Sequence, residues 1–142
     1  MANVRFSYAD VKPISLPGKK ALKEFIKRLF SLEGKTVLSI NYVFCSDPYL
    51  LEINKSFLQH DYLTDIITFD LSEGELVESE VYISVDRVRE NALIHNTVYR
   101  TELLRVMFHG ALHLCGYRDK KKSEITIMRE KEESYLRLFE QS

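Results

Sequence analysis

The feature that most restricts how this chain can fold is an apolar run, residues 103–114, that carries two histidines. His109 and His113 lie four residues apart in it. Because residues at this spacing share one face of an α-helix, we predict a helix that presents both imidazoles side by side. Gly116 follows, and glycine commonly ends a helix in the left-handed conformation. The sequence therefore predicts that the chain turns back after this helix and brings Asp119 toward the two histidines.

This arrangement is typical of a metal site. The pattern H-x-x-x-H-x-x-G-x-x-D has the ligand spacing of the long zincin motif, and three protein ligands leave one coordination position open for water. We therefore predict a zincin-like metal helix with one Zn²⁺ held by His109, His113 and Asp119. The alternative is that both histidines are hydrogen-bonded polar groups of a partly buried helix and that Asp119 is a loop or capping residue. Against this alternative, each buried imidazole would need its own partner, whereas one cation satisfies both.

Gly110 occupies the position at which zincin proteases have glutamate as the general base. Glycine cannot accept a proton, and inside a helix it costs about 1 kcal/mol relative to alanine. A metallopeptidase is therefore a disfavoured interpretation.

Cys115 lies two residues after His113, on a different face of the helix, and is not expected to be a ligand.

Composition sets few further limits on function. The chain has 142 residues and a formal net charge of −1, so bulk charge argues neither for nor against a polyanionic partner. No apolar run approaches the roughly 20 residues that span a bilayer, and the first residues lack the apolar segment of a secretory signal. The two cysteines have neither disulfide-framework nor CxxC spacing. These features predict a cytoplasmic protein that does not associate with membranes.

Hydrophobic periodicity predicts one small α+β domain, residues 1–142, in which a mixed sheet of about four strands packs with about five helices. The predicted strands are 4–8, 36–44, 65–71 and 81–85. The predicted helices are 19–32, 46–57, 86–95, a helix capped by Thr97 that carries the histidines, and 123–139. We also predict a turn at Leu16-Pro17-Gly18 and an acidic loop over residues 72–79. The core candidates of the last helix are Ile125, Met128, Tyr135, Leu136 and Leu138.

The segment His109-Gly110-x-Leu112-His113-Leu114-x-Gly116-Tyr117 resembles the signature of the YbeY-type endoribonucleases, which are bacterial rRNA maturation factors. Further resemblance lies at Ile53-Asn54, at Thr64-Asp65-Ile66-Ile67-Thr68-Phe69, and at Met128 with Glu132 or Glu133. It implies an α+β fold, zinc and a single-strand-specific endoribonuclease that acts in small-subunit rRNA 3′ end maturation and ribosome quality control. The implied partners are single-stranded RNA, small-subunit rRNA, and the ribosomal subunit or its assembly proteins.

Three positions depart from the family pattern. Asp119 stands where the third ligand is usually histidine, and Arg118 stands where an acidic residue usually precedes that ligand. Leu58 aligns with an arginine that is thought to face the substrate. Aspartate binds zinc competently but lowers the net positive charge of the site. The phosphate-binding role is therefore open, and the candidates, each of which can also be read as a solvated surface cation, are Lys55, Arg118 and Lys120-Lys121-Lys122.

Asp65 and Tyr117 are the remaining candidates for the site. Asp65 would orient a water or a ligand imidazole, or alternatively cap a turn. Tyr117 would stack on a base, or alternatively pack within its turn. The sequence assigns no general base.

The leading interpretation is a zinc-dependent endoribonuclease. The alternative, supported by Leu58 and the unassigned base, is a non-catalytic or partner-activated metal-binding ribosome-assembly factor.

Overall fold

The computed structural model describes residues 2–16 and 18–141, so Pro17 of the predicted turn and both ends of the predicted domain 1–142 lie outside the described residues. The strands within these ranges are β1 (Asn3–Tyr8), β2 (Thr36–Cys45), β3 (Ile66–Asp70) and β4 (Leu76–Ser84). The helices are α1 (Lys19–Leu32), α2 (Asp47–Leu58), α3 (Val85–Ile94), α4 (Tyr99–Leu114) and α5 (Lys122–Glu140). Within the described chain, no helix combines the length and the apolar character needed to cross a membrane.

The described strands form one mixed sheet of order β1-β2-β4-β3. β1 runs parallel to β2 and β2 runs parallel to β4, whereas β3 pairs antiparallel with β4. Parallel neighbours need crossover connections, and α1 provides the one between β1 and β2. The predicted α+β class, with a four-stranded mixed sheet and five helices in the described ranges, is confirmed.

The two faces of the sheet are covered unequally. The main core lies between the sheet and α1, α4 and α5, and its fully buried side chains include Phe30, Tyr42, Phe44, Ile83, Leu104 and Phe108. A smaller cluster of Cys45, Leu50 and Ile67 lies on the face that α2 covers. The Tyr42 hydroxyl donates to the Met107 carbonyl at 3.1 Å and so joins the sheet to α4. The helix that carries the histidines is therefore fixed directly on the sheet.

Three local predictions were wrong. β4 begins at Leu76, inside the predicted acidic loop, because the acidic residues there alternate with buried ones and belong to a strand. Thr97 does not cap α4: its N–H donates to the Ala92 carbonyl at 2.9 Å in the turn that closes α3, and Val98 takes the capping position. Ile125 is 46% exposed and is not a core residue.

Candidate metal centre

The end of α4 brings Asp119 back toward the histidines. The Gly116 N–H donates to the His113 carbonyl at 3.0 Å, and the Tyr117 N–H donates to the Leu112 carbonyl at 3.1 Å. These two bonds form a Schellman motif. Gly116 has φ +104°, a conformation that strains residues with a Cβ. The predicted reversal of the chain after the helix is therefore confirmed.

The donor atoms of three side chains converge on one point. The Nε2 atoms of His109 and His113 are 3.0 Å apart, and each lies 3.2 Å from Oδ2 of Asp119. Ligands bound tetrahedrally at about 2.0–2.1 Å, the usual distances for zinc, are separated by about 3.3 Å. The triangle formed by His109, His113 and Asp119 therefore has the size that a metal ion requires, and this group could hold one.

The other ring nitrogen of each histidine determines which way the lone pairs point. Nδ1 of His113 lies 2.9 Å from the Tyr117 carbonyl, and Nδ1 of His109 lies 2.6 Å from Oε2 of Glu132. A carbonyl and a carboxylate only accept, so both Nδ1 atoms donate and both Nε2 atoms direct lone pairs toward Asp119. Three acceptors at such separations repel one another unless a cation lies among them. The donor chemistry of the described residues therefore fits a metal ion.

The surrounding charges favour a cation at the same point. Burial by itself disfavours a charged His109, but the hydrogen bond to Glu132 and the nearby carboxylates of Asp119 and Asp65 outweigh it and raise the pKa of His109. Burial raises the pKa of Asp65, against the effect of His109. The Asp65 carboxylate accepts a hydrogen bond from Nδ2 of Asn91 at 3.1 Å. The site is thus acidic, partly buried and suited to positive charge.

Glu132 is the supporting residue to which sequence analysis gave no role. It lies on α5, is 4% exposed, and holds the His109 ring while its other oxygen lies 3.7 Å from Nη1 of Arg105. A weak signal was present, since Met128, Glu132 and Tyr135 follow helical spacing and place a carboxylate on the buried face. A carboxylate behind a ligand histidine fixes its tautomer and ring orientation.

Gly110 has a structural role of its own. A Cβ at this position would lie 2.8 Å from Cδ1 of Ile66 on β3 and 3.2 Å from Cγ1 of Val81 on β4. The helix therefore approaches the sheet so closely that even a Cβ at this position requires the end of the Ile66 side chain to move. The position that carries the general base in zincin proteases faces the sheet and has no room for a glutamate.

Comparison with known proteins identifies the family. The family model described as Endoribonuclease YbeY matches residues 10–140. The chain belongs to the YbeY family. Endoribonuclease YbeY of Flavobacterium psychrophilum is 51% identical over 107 residues, which cover 75% of this chain and 76% of that protein. Endoribonuclease YbeY of Parabacteroides distasonis is 47% identical over 128 residues, which cover 89% and 90%. The family predicted from the sequence is confirmed.

A solved structure supports the same assignment. The solution structure of TM1509 from Thermotoga maritima aligns with a TM-score of 0.65 and 30% identity, and the match covers 96% of this chain and 88% of that one. The fold and the sequence therefore agree on the family.

Two cavities adjoin the candidate metal centre of this YbeY family member. A smaller one of about 260 Å³ and a larger one of about 560 Å³ share Asp65, His109 and Asp119 as lining residues. Leu58 and Lys120 also line the larger cavity. The structure thus brings Asp65 and Lys120 to the site, together with the three residues predicted to bind the metal.

Two predicted candidates lie elsewhere. Lys55 is on the outer part of α2, where its Nζ is 3.8 Å from Glu52 and 3.6 Å from Asp61. Arg118 is an exposed residue of the turn before Asp119. Neither is among the described residues that line the two cavities.

Burial raises the pKa of the Cys115 thiol to about 12. Among the described residues, the group of donor atoms that converge on one point consists of His109, His113 and Asp119 and does not include Cys115. That Cys115 is not a ligand stays a prediction.

Tyr117 packs within its turn, in agreement with the second interpretation of this residue. Its hydroxyl donates to Oε1 of Glu33 at 2.7 Å, and the Tyr135 hydroxyl donates to Oε2 of the same carboxylate. Nζ of Lys131 lies 3.2 Å from Glu33. The turn that delivers Asp119 is thus tied to the end of α1 through one carboxylate.

We expect Glu33→Gln to destabilise the fold in a pH-dependent way. Burial alone would raise the pKa of Glu33, but hydrogen bonds from Tyr135, Tyr117 and Lys131 outweigh it and lower the pKa. A lowered pKa in the folded state gives stability that is present above the ordinary glutamate pKa of 4.5 and is lost as pH falls through the pKa of the folded state. Hydrogen bonds to a charged group contribute about 1.5–3 kcal/mol, so we expect a loss of about 2 kcal/mol at neutral pH.

Urea unfolding at neutral and acidic pH measures this effect. Glu24→Gln is the matched control, because Glu24 is on α1, the helix that Glu33 directly follows, its side chain is 66% exposed and it pairs with Lys27 alone among the described residues. We expect the control to change stability by less than about 0.5 kcal/mol. An equal loss of stability for Glu33→Gln at both pH values would contradict a role for the charge.

Proposed function

We propose that this chain is a zinc-dependent endoribonuclease that cleaves single-stranded RNA in the cytoplasm. Its proposed task is 3′ end maturation of small-subunit rRNA and ribosome quality control. The broader class, a nuclease that acts on RNA, follows from membership of the YbeY family. The observation that carries the metal dependence is the convergence of two imidazole lone pairs and one carboxylate at 3.0–3.2 Å.

We assign the metal to His109, His113 and Asp119 within a single catalytic domain spanning residues 1–142. Two imidazole nitrogens and one carboxylate oxygen are a donor set that zinc accepts, with one position left for water. When bound, the ion would supply Lewis acidity toward a phosphodiester and lower the pKa of a water molecule. The supporting groups are Glu132 and the Tyr117 carbonyl, which hold the imidazole rings in place.

Other residues of the site have proposed roles in positioning the substrate. Asp65 borders both cavities, so we propose that its carboxylate orients the attacking water by hydrogen bonding. Among the predicted cations, we favour Lys120 as the phosphate contact because it lines the larger cavity. Lys55 and Arg118 rank lower because they lie outside both cavities among the described residues.

We further propose that ribosomal components deliver the RNA. Phosphate contacts supply most of the affinity of nucleic-acid-binding proteins, yet the net charge of this chain is −1. A ribosomal subunit or an assembly protein that holds the RNA would remove the need for a strongly basic surface. Co-sedimentation of the purified chain with small ribosomal subunits tests this, and recovery of the chain in the supernatant alone would contradict it.

The alternative is a partner-activated or non-catalytic metal-binding assembly factor. Leu58, which lines the larger cavity and is 41% exposed, favours it because this position carries an apolar side chain where a cation would contact the substrate. A metallopeptidase is disfavoured by the close contact of Gly110 with the sheet.

Cleavage of an end-labelled single-stranded RNA tests the proposed function. We expect the zinc-loaded protein to cut it, a chelator-treated sample to lose this activity and added zinc to restore it. The same RNA annealed to its complement should resist cleavage. If the zinc-loaded protein leaves the single strand intact, but cuts it once small ribosomal subunits are added, the partner-activated alternative is correct.

We expect Glu132→Gln to weaken metal binding without unfolding the protein. Glutamine can still accept from Nδ1 of His109 but loses the negative charge that strengthens this histidine as a ligand. Loss of such supporting partners typically reduces metal affinity by about 10–100-fold, and we expect about tenfold for glutamine. Competition with a chromophoric chelator measures the affinity.

Glu133→Gln is the matched control for this variant. Glu133 is the next residue, and it lies 2.5 Å from Nη1 of Arg105 but makes no described contact with His109. Its metal affinity should equal that of the wild type. Equal affinities for both variants would show that the Glu132 charge does not support the metal ligand.

A further inference from the structure

The larger cavity has an aromatic wall to which the proposed function gives no role. His60 and Tyr62 line this cavity together with His109, His113 and Asp119. Their rings are stacked, with centroids 5.1 Å apart and an interplanar angle of 21°. The Tyr62 hydroxyl lies 2.9 Å from Nδ1 of His60, so a hydrogen bond also links the two side chains.

One buried residue shapes the loop that presents this pair. Asn54 is 1% exposed, and its Nδ2 donates to the Tyr62 carbonyl at 2.9 Å. The His60 N–H donates to the Asn54 carbonyl at 3.0 Å. Gln59 has φ +58° and ends α2, so the chain reverses directly before the pair. The backbone on both sides of the two rings is therefore held by Asn54.

The pair is nevertheless open to solvent. Tyr62 is 56% exposed, and Leu58 on the same wall is 41% exposed. An aromatic pair that is fixed in place and exposed beside a polar site offers a flat surface for stacking. Lys120 lines the same cavity and supplies a positive charge. A ligand that matches both features has an exposed planar ring and a negatively charged backbone, as single-stranded RNA does.

We propose that the His60–Tyr62 pair is a stacking platform for one unpaired base of the RNA substrate, which positions the adjoining backbone at the metal centre. This inference rests on the proposed function. It gives a structural reason for the cleavage of single-stranded RNA in preference to a duplex. A base in a duplex is stacked and paired already, so it is not free to contact the platform. Because every base has a π-face, the platform imposes little sequence preference.

Stopped-flow mixing with a short single-stranded RNA that contains 2-aminopurine tests the platform on the zinc-loaded protein. The fluorescence of this base is quenched when it stacks, and the binding phase is separate from any later cleavage. We expect quenching with the wild type. Tyr62→Ala should abolish the quenching and weaken RNA binding by about tenfold, within the range of base–aromatic stacking. Tyr62→Phe keeps the ring and should retain both.

Tyr49→Ala is the matched control, because Tyr49 is a 39% exposed tyrosine of α2 that does not line the cavity among its described residues. It should bind and quench as the wild type does. A second RNA in which the reporter base is replaced by an abasic ribose should bind wild type and Tyr62→Ala equally.

The outcomes separate the platform from the nuclease activity. If the reporter base is quenched by Tyr62→Ala, and this variant binds RNA as tightly as the wild type does, the platform is overturned, whether or not the RNA is then cut. Tyr62-dependent quenching without any cleavage would support the platform and overturn the proposed activity instead. If Tyr62→Ala leaves RNA binding unchanged but loses binding to small ribosomal subunits, the exposed wall is a protein-docking surface and the platform is overturned.

Discussion

Replacement of His113 by alanine is expected to remove zinc binding and RNA cleavage together. The substitution leaves two of the three donor atoms that converge at 3.0–3.2 Å. A bound metal supplies several kcal/mol of transition-state stabilisation, and each 1.4 kcal/mol corresponds to about tenfold in rate. We therefore expect cleavage to fall by at least about 10³-fold. Metal analysis of the purified protein and cleavage of end-labelled RNA measure the two effects.

The fold should survive this substitution. The side chain of His113 is 29% exposed, and its neighbours on α4 keep their contacts with the sheet. Circular dichroism and urea unfolding check this expectation. Cys115→Ala is the matched control, since it removes another possible metal-binding group two residues away, and it should keep both zinc and activity.

Three results would contradict the expected loss of zinc and cleavage together. Equal cleavage by the wild type and His113→Ala would point to a contaminating nuclease. If His113→Ala retains zinc and Cys115→Ala loses it, the metal ligand is the Cys115 thiol and not the His113 imidazole. A wild type that binds zinc and leaves RNA intact would favour the assembly-factor alternative.

Gly110→Glu is expected to destabilise the fold strongly rather than create a peptidase. It restores the glutamate that zincin proteases carry after the first histidine, but its Cβ would lie 2.8 Å from Ile66 and 3.2 Å from Val81. Overpacking costs about 1–3 kcal/mol, and an unpaired buried carboxylate costs several more. We expect a loss of at least about 4 kcal/mol, a large part of the roughly 5–15 kcal/mol that stabilises a typical domain.

Gly110→Ala provides the control for crowding without charge. Alanine gains about 1 kcal/mol of helix propensity over glycine, and Cδ1 of Ile66 is the flexible end of a side chain. We expect its stability to differ from the wild type by less than about 1 kcal/mol. Thermal unfolding and a casein cleavage assay should be run on both variants. A folded Gly110→Glu protein that digests casein would refute the steric argument and revive the metallopeptidase interpretation.

The parts of the molecule that sequence analysis predicted are those encoded locally. The metal helix, its Schellman turn and the return of Asp119 depend on residues 109–119, whose spacing is visible without any tertiary information. The helix over residues 19–32 was predicted with its observed limits because its apolar side chains recur at helical spacing. The start of β4 was missed because its acidic residues suggested a loop, whereas its alternation of buried positions indicates a strand.

The partners of the supporting residues were not predicted because they lie in distant parts of the chain. Glu132 lies 23 residues after His109, and Glu33 lies 84 residues before Tyr117. The contact of Gly110 with Ile66 and Val81 depends on how α4 crosses the sheet. The sequence shows that a glycine lies inside a predicted helix, but its close approach to the sheet is visible only in the folded structure.

The candidate ligand His109 is oriented by Glu132, and the turn that follows His113 is anchored by Glu33, so the motif depends on residues outside itself. A synthetic peptide of residues 109–119 would contain all three donors and the Tyr117 carbonyl, but it would lack the acceptor that orients the His109 ring. It would equally lack the carboxylate that anchors the Tyr117 hydroxyl. A designer who moves this candidate centre to another scaffold must therefore transplant α4 and α5 in contact, together with the carboxylate at the end of α1, and not the eleven-residue signature alone.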